Sequence, residues 1–170
     1  ATVAALTSTQ VGGLTAAGVF NKLSTAQVAV LSTDVLRAAS TSAIQGVSTV
    51  QINALDSSQI QALTSSQVQA LSSAQLNAVA TTQIASLSSA QVKALTTYQI
   101  ANLSAAQFAL LETRDVTVLS ATQAPNLSTD AIVSLTTAQA AALNSAALNA
   151  LGSDQLAVLE TRDLAAMTTT

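Results

Sequence analysis

The sequence predicts an all-α fold, a solenoid (superhelix) of very short helices with one helix per eight-residue repeat. Three observations predict it: an apolar residue recurs every eight positions, a second apolar residue follows it by five, and a helix-start signal lies between them. We call each eight-residue repeat an octad and its first apolar residue the anchor. The anchors are Leu23, Leu31, Ala39, Val47, Leu55, Leu63, Leu71, Val79, Leu87, Leu95, Leu103, Leu111, Leu119, Leu127, Leu135, Leu143, Leu151, Leu159 and Met167.

The second apolar residue of each octad forms what we call the inner series. It lies five positions after the anchor, and no member that we identify is polar. We expect both series to meet inside the superhelix as its aliphatic core, since aromatic residues make up only 2% of the chain. The inner series includes Val28, Ile44, Ile52, Ile60, Val68, Leu76, Ile84, Val92, Ile100, Phe108, Val116, Ile132, Leu148, Leu156 and Leu164.

The helix-start signal is a Ser or Thr followed three residues later by Gln, as at Ser72 and Gln75. This pattern is a capping box, in which the hydroxyl accepts from the N3 amide and the Gln side chain accepts from the N-cap amide. With Ser72 as N-cap, Leu71 and Leu76 fall at the two positions of a hydrophobic staple. Each octad therefore starts a new helix.

Helices this short must be stabilised by their neighbours. An octad has room for about six helical residues, and isolated helices of that length are unstable in water. Stacking of consecutive octads must supply the stability. We expect two or three octads to complete one superhelical turn, because the segment 112–115 (Glu-Thr-Arg-Asp) recurs at 160–163, after 48 residues, a multiple of both 16 and 24.

Two other architectures are compatible with an eight-residue period. In one unbroken helix each octad would drift by roughly 80°, so the anchors would wind around the surface without forming a seam. In a β-solenoid the anchor and the inner residue would point to opposite faces, because their spacing is odd. The abundance of Ala and Gln, the scarcity of Gly and the capping boxes favour short helices over both.

The repeats predict one continuous array over residues 1–170, with an irregular unit at about 12–22 and regular octads over 23–170. Gly12, Gly13 and Gly18 accompany the irregular unit. Pro125 lies late in its octad and should kink that helix or cut it short. Because the chain starts at Ala1 with no signal-like segment, we expect a processed chain or a piece of a longer protein.

The composition argues against several functions. Five scattered Lys and Arg residues are too few for nucleic-acid binding, and polar residues interrupt every apolar stretch before it could insert into a membrane. The chain has no Cys and no His, which excludes thiolate and imidazole ligands, and it has no dense Asp-Gly pattern that would bring several oxygens to a hard cation. We therefore expect no metal site and no cofactor. The many Ser and Thr residues lack a base that could activate them, so we expect no catalytic residues and no enzyme.

Charge is concentrated in the two Glu-Thr-Arg-Asp segments, which are a candidate lateral contact patch. In the alternative interpretation each Glu lies at a cap, each Asp lies at N3, and each Arg pairs with a neighbouring octad. The Gln column could be a hydrogen-bonding ladder for a partner, although capping already engages it. The charged residues of the patch are Glu112, Arg114, Asp115, Glu160, Arg162 and Asp163.

The octad Leu-Ser/Thr-x-x-Gln-Ile/Val-x-Ala, as in residues 63–70, resembles the repeats of long secreted surface proteins of Gram-negative bacteria, often labelled adhesin- or haemolysin-like. The resemblance implies an extracellular structural module: a rigid rod, a stalk or a self-assembling filament segment. The partners would be other copies of the chain, joined head to tail or laterally, or flanking repeats. The alternative is an adhesive module that presents its Ser/Thr/Gln-rich face to a glycan, a host protein or ice.

Overall fold

The computed structural model describes residues 20–167 and places them in short helices, with no strand in that range. The chain divides into two compact units, residues 1–86 and residues 87–170. The described α-helices have four to seven residues, and nearly every octad contributes one. The predicted all-α solenoid with one short helix per octad is therefore confirmed, and the unbroken helix and the β-solenoid are both wrong.

The helices of the N-terminal unit are Thr25–Ala29, Thr33–Ala38, Thr41–Gln45, Thr49–Asn53, Ser57–Ala62, Ser65–Ala70, Ser73–Ala78 and Thr81–Ile84, preceded by the 3-10 helix Phe20–Lys22. Those of the C-terminal unit are Ser89–Ala94, Thr97–Asn102, Ala105–Ala109, Thr113–Val116, Thr129–Val133, Thr137–Ala141, Ser145–Ala150, Ser153–Ala157 and Thr161–Met167, with the 3-10 helix Ala124–Asn126 between the fourth and fifth.

The helices begin where the capping signal predicts. Ser72 has the extended backbone of an N-cap (φ −67°, ψ 158°), and its hydroxyl accepts from the Gln75 amide at 3.1 Å. The Gln75 Oε1 in turn accepts from the Ser72 amide at 2.8 Å. Side-chain caps of this kind start 13 of the described helices. The capping residues are Ser24, Ser32, Ser40, Ser48, Asp56, Thr64, Ser72, Ser88, Thr96, Ser104, Ser128, Thr136 and Asn144.

The two apolar series form the core, as the sequence predicts. Every anchor from Leu31 to Leu159 is buried, whereas Leu23 and Met167 are half-buried. The inner series is buried from Val28 to Ile132. Burial of aliphatic side chains on this scale is the main stabilising contribution, since each one contributes about 1.5–3 kcal/mol when removed from water.

Each described turn of the superhelix contains three octads. In the N-terminal unit, Thr33–Ala38 packs on Ser57–Ala62, which begins three octads later. In the C-terminal unit, Thr137–Ala141 packs on Thr161–Met167 with the same offset. Of the two predicted values, two or three octads per turn, the structure selects three.

At both places where the octad pattern is irregular, the described residues form a short 3-10 helix. Pro125 lies in the short 3-10 helix Ala124–Asn126, so the predicted shortening of that helix is confirmed. Of the irregular segment 12–22, only the 3-10 helix Phe20–Lys22 is described, and Gly12, Gly13 and Gly18 lie outside the described residues.

Candidate functional site

Most of the described glutamines at N3 are buried inside the solenoid, and those that bond to the preceding turn join two superhelical turns. Gln27, which is exposed, is an exception. Gln67 is 2% exposed, and its Oε1 accepts from the Thr64 amide at 2.7 Å. Its Nε2 donates to the carbonyls of Leu36 and Ala39, both at 2.7 Å and both one turn below. One amide side chain therefore caps its own helix and holds the preceding turn. The column is an internal ladder, and burial keeps it from an external partner.

The ladder follows a fixed register, in which the Nε2 of each of eight glutamines donates to the anchor carbonyl 28 residues earlier. An anchor lies in extended backbone between two helices, so its carbonyl has no partner within a helix. The glutamine supplies that partner. The pairs are Gln51 with Leu23, Gln59 with Leu31, Gln67 with Ala39, Gln75 with Val47 and Gln83 with Leu55 in the N-terminal unit, and Gln123 with Leu95, Gln139 with Leu111 and Gln155 with Leu127 in the C-terminal unit.

Asn144 takes over the ladder function in an octad that lacks glutamine. Its N3 residue is Ala147, whose amide is capped by the Asn144 Oδ1 at 2.9 Å. The Asn144 Nδ2 donates to the carbonyls of Thr117 at 2.8 Å and Leu119 at 2.7 Å, in the turn below. The sequence signal for this substitution is an Asn at the cap in the same octad as an Ala at N3. From the octad pattern alone, Asn144 is predicted to be an N-cap, and its bonds to the turn below are not predicted.

The first segment of the candidate contact patch forms an acidic corner of the C-terminal unit. Asp115 replaces the ladder glutamine and is fully buried, with Oδ1 accepting from the Ser89 hydroxyl at 2.7 Å. Its Oδ2 is buried without a hydrogen-bond partner among the described residues. The Arg114 Nε lies 2.9 Å from Glu112 Oε2 and 3.7 Å from Asp115 Oδ1. Arg114 thus pairs within its own octad, whereas the alternative interpretation expects a neighbouring one.

The second segment repeats the buried contact two turns later. Asp163 is 3% exposed, and its Oδ1 accepts from the Thr137 hydroxyl at 2.8 Å. Glu160 is exposed, and the Arg162 side chain lies outside the described atoms. In both segments the Asp therefore joins two turns, and Glu112, Arg114 and Glu160 are the described charges that face solvent. Sequence analysis missed the hydroxyl donors, which lie 26 residues before each Asp.

An open groove of about 500 Å³ adjoins the first segment. Its lining combines the exposed side chain of Leu110 with Glu112, Arg114 and Thr136. The groove offers hydroxyl, carboxylate and guanidinium groups to a ligand, with no aromatic side chain in its lining. These groups can form hydrogen bonds and ion pairs, and none is arranged as a nucleophile beside a base.

Elsewhere in the described residues we looked for metal sites, membrane-spanning helices and further grooves. No three acidic side chains within residues 20–167 are close enough together to hold a metal ion. Across the same residues, every helix is too short to span a lipid bilayer. A smaller groove of about 270 Å³ in the N-terminal unit is lined by Thr49, Val50, Asn53 and Ala78, none of them charged.

The capping and ladder positions recur in a known repeat. A family model described as the ALTTAQ repeat matches residues 35–65, 68–105 and 141–169, which together exceed half of the chain. The chain belongs to the ALTTAQ repeat family. Comparison with curated proteins gave no match, and neither did comparison with solved structures.

The name ALTTAQ, in one-letter amino-acid code, matches the helix-start signal of one octad. Residues 94–99, Ala-Leu-Thr-Thr-Tyr-Gln, lie within the second matched segment. Leu95 is the anchor, Thr96 is the N-cap and Gln99 is at N3, where it forms the capping box. In this octad, the six residues therefore contain a complete helix-start signal, from the anchor to the N3 glutamine.

Proposed function

We propose that the chain is a structural repeat module, a rigid rod, stalk or filament segment of a bacterial extracellular surface protein. The observation that carries the proposal is the buried glutamine ladder, which joins successive turns at regular intervals. Joined turns resist bending and can be extended by adding octads. The resemblance of the octad to repeats of secreted surface proteins supports the extracellular placement.

A module of this kind can be lengthened by whole turns, which gives the proposal a direct test. Duplication of residues 47–70 adds three complete octads with their ladder glutamines, Gln51, Gln59 and Gln67. We expect the maximum dimension from small-angle X-ray scattering to grow by about 10 Å, one helix-to-helix spacing. Insertion of a Gly/Ser-rich segment of equal length at the same point is the control. An unchanged dimension after the duplication, with helicity retained, would contradict the rod.

The extracellular placement needs its own test. Antibodies against the chain should label intact cells of the source organism, and external protease should remove that label without breaking the cells. Label that appears after permeabilisation alone would place the protein inside the cell. The partners in this proposal are other copies of the chain or flanking repeats, and neither nucleic acid nor a membrane is among them.

The groove beside Leu110, Glu112 and Arg114 favours a second candidate function, an adhesive module for a glycan, a host protein or ice. Hydroxyl-rich helix starts would add weak, repeated contacts on the outer face. A glycan array and an ice-growth assay test two of these ligands. Signal that disappears in the double variant Glu112→Ala/Arg114→Ala would support adhesion through the groove, and no signal in either assay would remove both ligands. Catalysis is part of neither proposal.

A further inference from the structure

Two large aliphatic side chains are exposed on the side of the stacked turns in the C-terminal unit. Leu110 directly follows the helix Ala105–Ala109 and is 44% exposed, and Val133 ends the helix Thr129–Val133 and is 52% exposed. These two helices pack on one another one turn apart, so their C-terminal ends are neighbours. The helix Ser153–Ala157 of the next turn packs on Thr129–Val133 in the same way, and Val133 is exposed all the same. A neighbouring turn therefore does not cover these positions.

Both residues depart from the octad pattern. Val133 lies six positions after its anchor, where no other octad anchored from Leu23 to Leu159 has a large aliphatic residue. Leu110 lies directly before an anchor, where Ala is the commonest residue. Packing of the core explains neither departure, because both side chains are exposed.

A charged pair adjoins the two aliphatic residues. Glu112 and Arg114 line the open groove together with Leu110, and their side chains are 50% and 58% exposed. The ion pairs of Arg114 described above both engage its Nε. A guanidinium has five N–H donors and a carboxylate has two oxygens, so the pair keeps groups for a second ion pair. We call the surface formed by Leu110, Glu112, Arg114 and Val133 the side surface.

The side surface is complementary to itself. It presents one exposed anion and one exposed cation, two residues apart, beside aliphatic side chains. A two-fold contact between identical surfaces sets residue i against residue j and residue j against residue i, so each charge can meet its opposite. A partner of one strong charge would meet a like charge as well. A sugar ring would find no aromatic side chain in the groove lining.

We propose that two copies of this chain associate side by side about a two-fold axis at the side surface. Arg114 of each copy pairs with Glu112 of the other, and the Leu110 and Val133 side chains of the two copies pack together away from water. Because the contact uses the same surface on both copies, it closes on itself and gives a dimer. The inference rests on the proposed structural function and names the surface through which two modules meet.

Charge reversal tests the ion pairs. Glu112→Arg gives the side surface two cations, and Arg114→Glu gives it only anions, so each variant sets like charges against each other. Dimerisation should weaken about a hundredfold, which is about tenfold for each of the two ion pairs. In sedimentation equilibrium the average mass of the natural chain should rise with concentration to that of two chains, while either variant stays at one chain. An equimolar mixture of the two variants should form dimers again.

The reversal at 112 leaves helix capping intact. Glu112 has the N-cap position of Thr113–Val116 without a side-chain capping bond, so Glu112→Arg removes no such bond. Circular dichroism of each variant checks that the helices are retained. Restored dimers in the mixture also show that both variants are folded, because unfolded chains would not recover the contact.

Substitution of the aliphatic residues tests the apolar half of the contact. Leu110→Lys/Val133→Lys places two charges where the two copies must pack, at positions exposed enough to keep the helices intact. We expect this variant to stay monomeric at concentrations where the natural chain dimerises. Val30→Lys/Val50→Lys is the matched control, since it adds the same charge at aliphatic residues that are 52% and 66% exposed in the N-terminal unit. The control should dimerise like the natural chain.

Three results would overturn the inference. The first is a natural chain that stays monomeric at every concentration, and the second is a mixture of the charge variants that stays monomeric. The third is dimerisation that persists in Leu110→Lys/Val133→Lys, because it would place the contact elsewhere. A monomeric natural chain that binds a glycan through Glu112 and Arg114 would assign the side surface to the second candidate function.

The scattering experiment separates this inference from the proposed function. Duplication of residues 47–70 is made in the Glu112→Arg chain, which stays a single chain, so that dimerisation does not change the measured dimension. Growth of that dimension keeps the structural function standing even where the natural chain fails to dimerise. Failure of that growth removes the structural function even where the natural chain dimerises through the side surface.

Discussion

Replacement of Gln67 by Ala removes one complete connection between two turns. The side chain has a capping bond to Thr64 and two bonds to the carbonyls of Leu36 and Ala39, and it is almost fully buried. At about 1 kcal/mol net for each hydrogen bond, the loss is about 3 kcal/mol. We expect the free energy of unfolding of the whole chain, measured by urea titration with circular dichroism, to fall by that amount.

Gln27 provides the matched control, because it has the same capping bond and no described bond to a lower turn. Gln27→Ala should lower the free energy of unfolding by about 1 kcal/mol, the contribution of the cap. The difference between the two variants measures the ladder. Equal losses for Gln67→Ala and Gln27→Ala would refute the idea that the amide stabilises the stack through its Nε2.

The isosteric variant Gln67→Glu adds a dependence on pH. Its carboxylate can still accept from Thr64, but it cannot donate to Leu36 and Ala39 and instead meets two carbonyl oxygens. Burial then raises the pKa of the introduced carboxyl above its value of about 4.3 in the unfolded chain. The folded state binds the proton more tightly, so destabilisation is full at neutral pH and shrinks as the pH falls through the raised pKa. Destabilisation that grows on acidification, relative to the natural chain, would contradict this assignment.

The other predictions concern single contacts, each measured by urea unfolding. Ala80 has the backbone of an N-cap (φ −60°, ψ 149°) and no side-chain cap, so Ala80→Ser should stabilise the chain by about 1 kcal/mol, and a loss of stability would contradict this. Asn144→Ser should cost about 2 kcal/mol through its two lost bonds to the turn below. Adding Ala147→Gln should restore most of the lost free energy of unfolding. If the effects of the two substitutions on that free energy simply added, the result would argue against the idea that Asn144 replaces an N3 glutamine. Ser89→Ala leaves the buried Asp115 carboxylate without its close donor and should cost about 2 kcal/mol, so an unchanged stability would mean that the carboxylate finds another partner.

The local parts of this structure follow from sequence because their determinants lie within one octad. A capping box spans four residues, and the staple adds one residue on each side of it, so Leu71, Ser72, Gln75 and Leu76 specify a helix start without reference to any distant residue. The two apolar series are equally local in origin. They predict which side chains are buried, and the described core from Leu31 to Leu159 follows them.

Exposure of the inner series near the end of the described chain does not follow from that pattern. Leu156 and Leu164 satisfy the same periodicity as Ile132, yet both are exposed while Ile132 is buried. Periodicity specifies which way a side chain faces, whereas burial also requires a helix in the next turn to pack upon it. The stacking contacts therefore supply information that the repeat alone lacks.

The sequence by itself determined the helix starts, the two apolar series and the replacement of Gln by Asp at 115 and 163. The tertiary structure decided that three octads complete a turn, that each ladder Nε2 reaches an anchor 28 residues earlier, and that Asp115 accepts from Ser89. These features depend on the angle between consecutive helices. That angle results from the packing of whole turns on one another, and an eight-residue signal does not contain it.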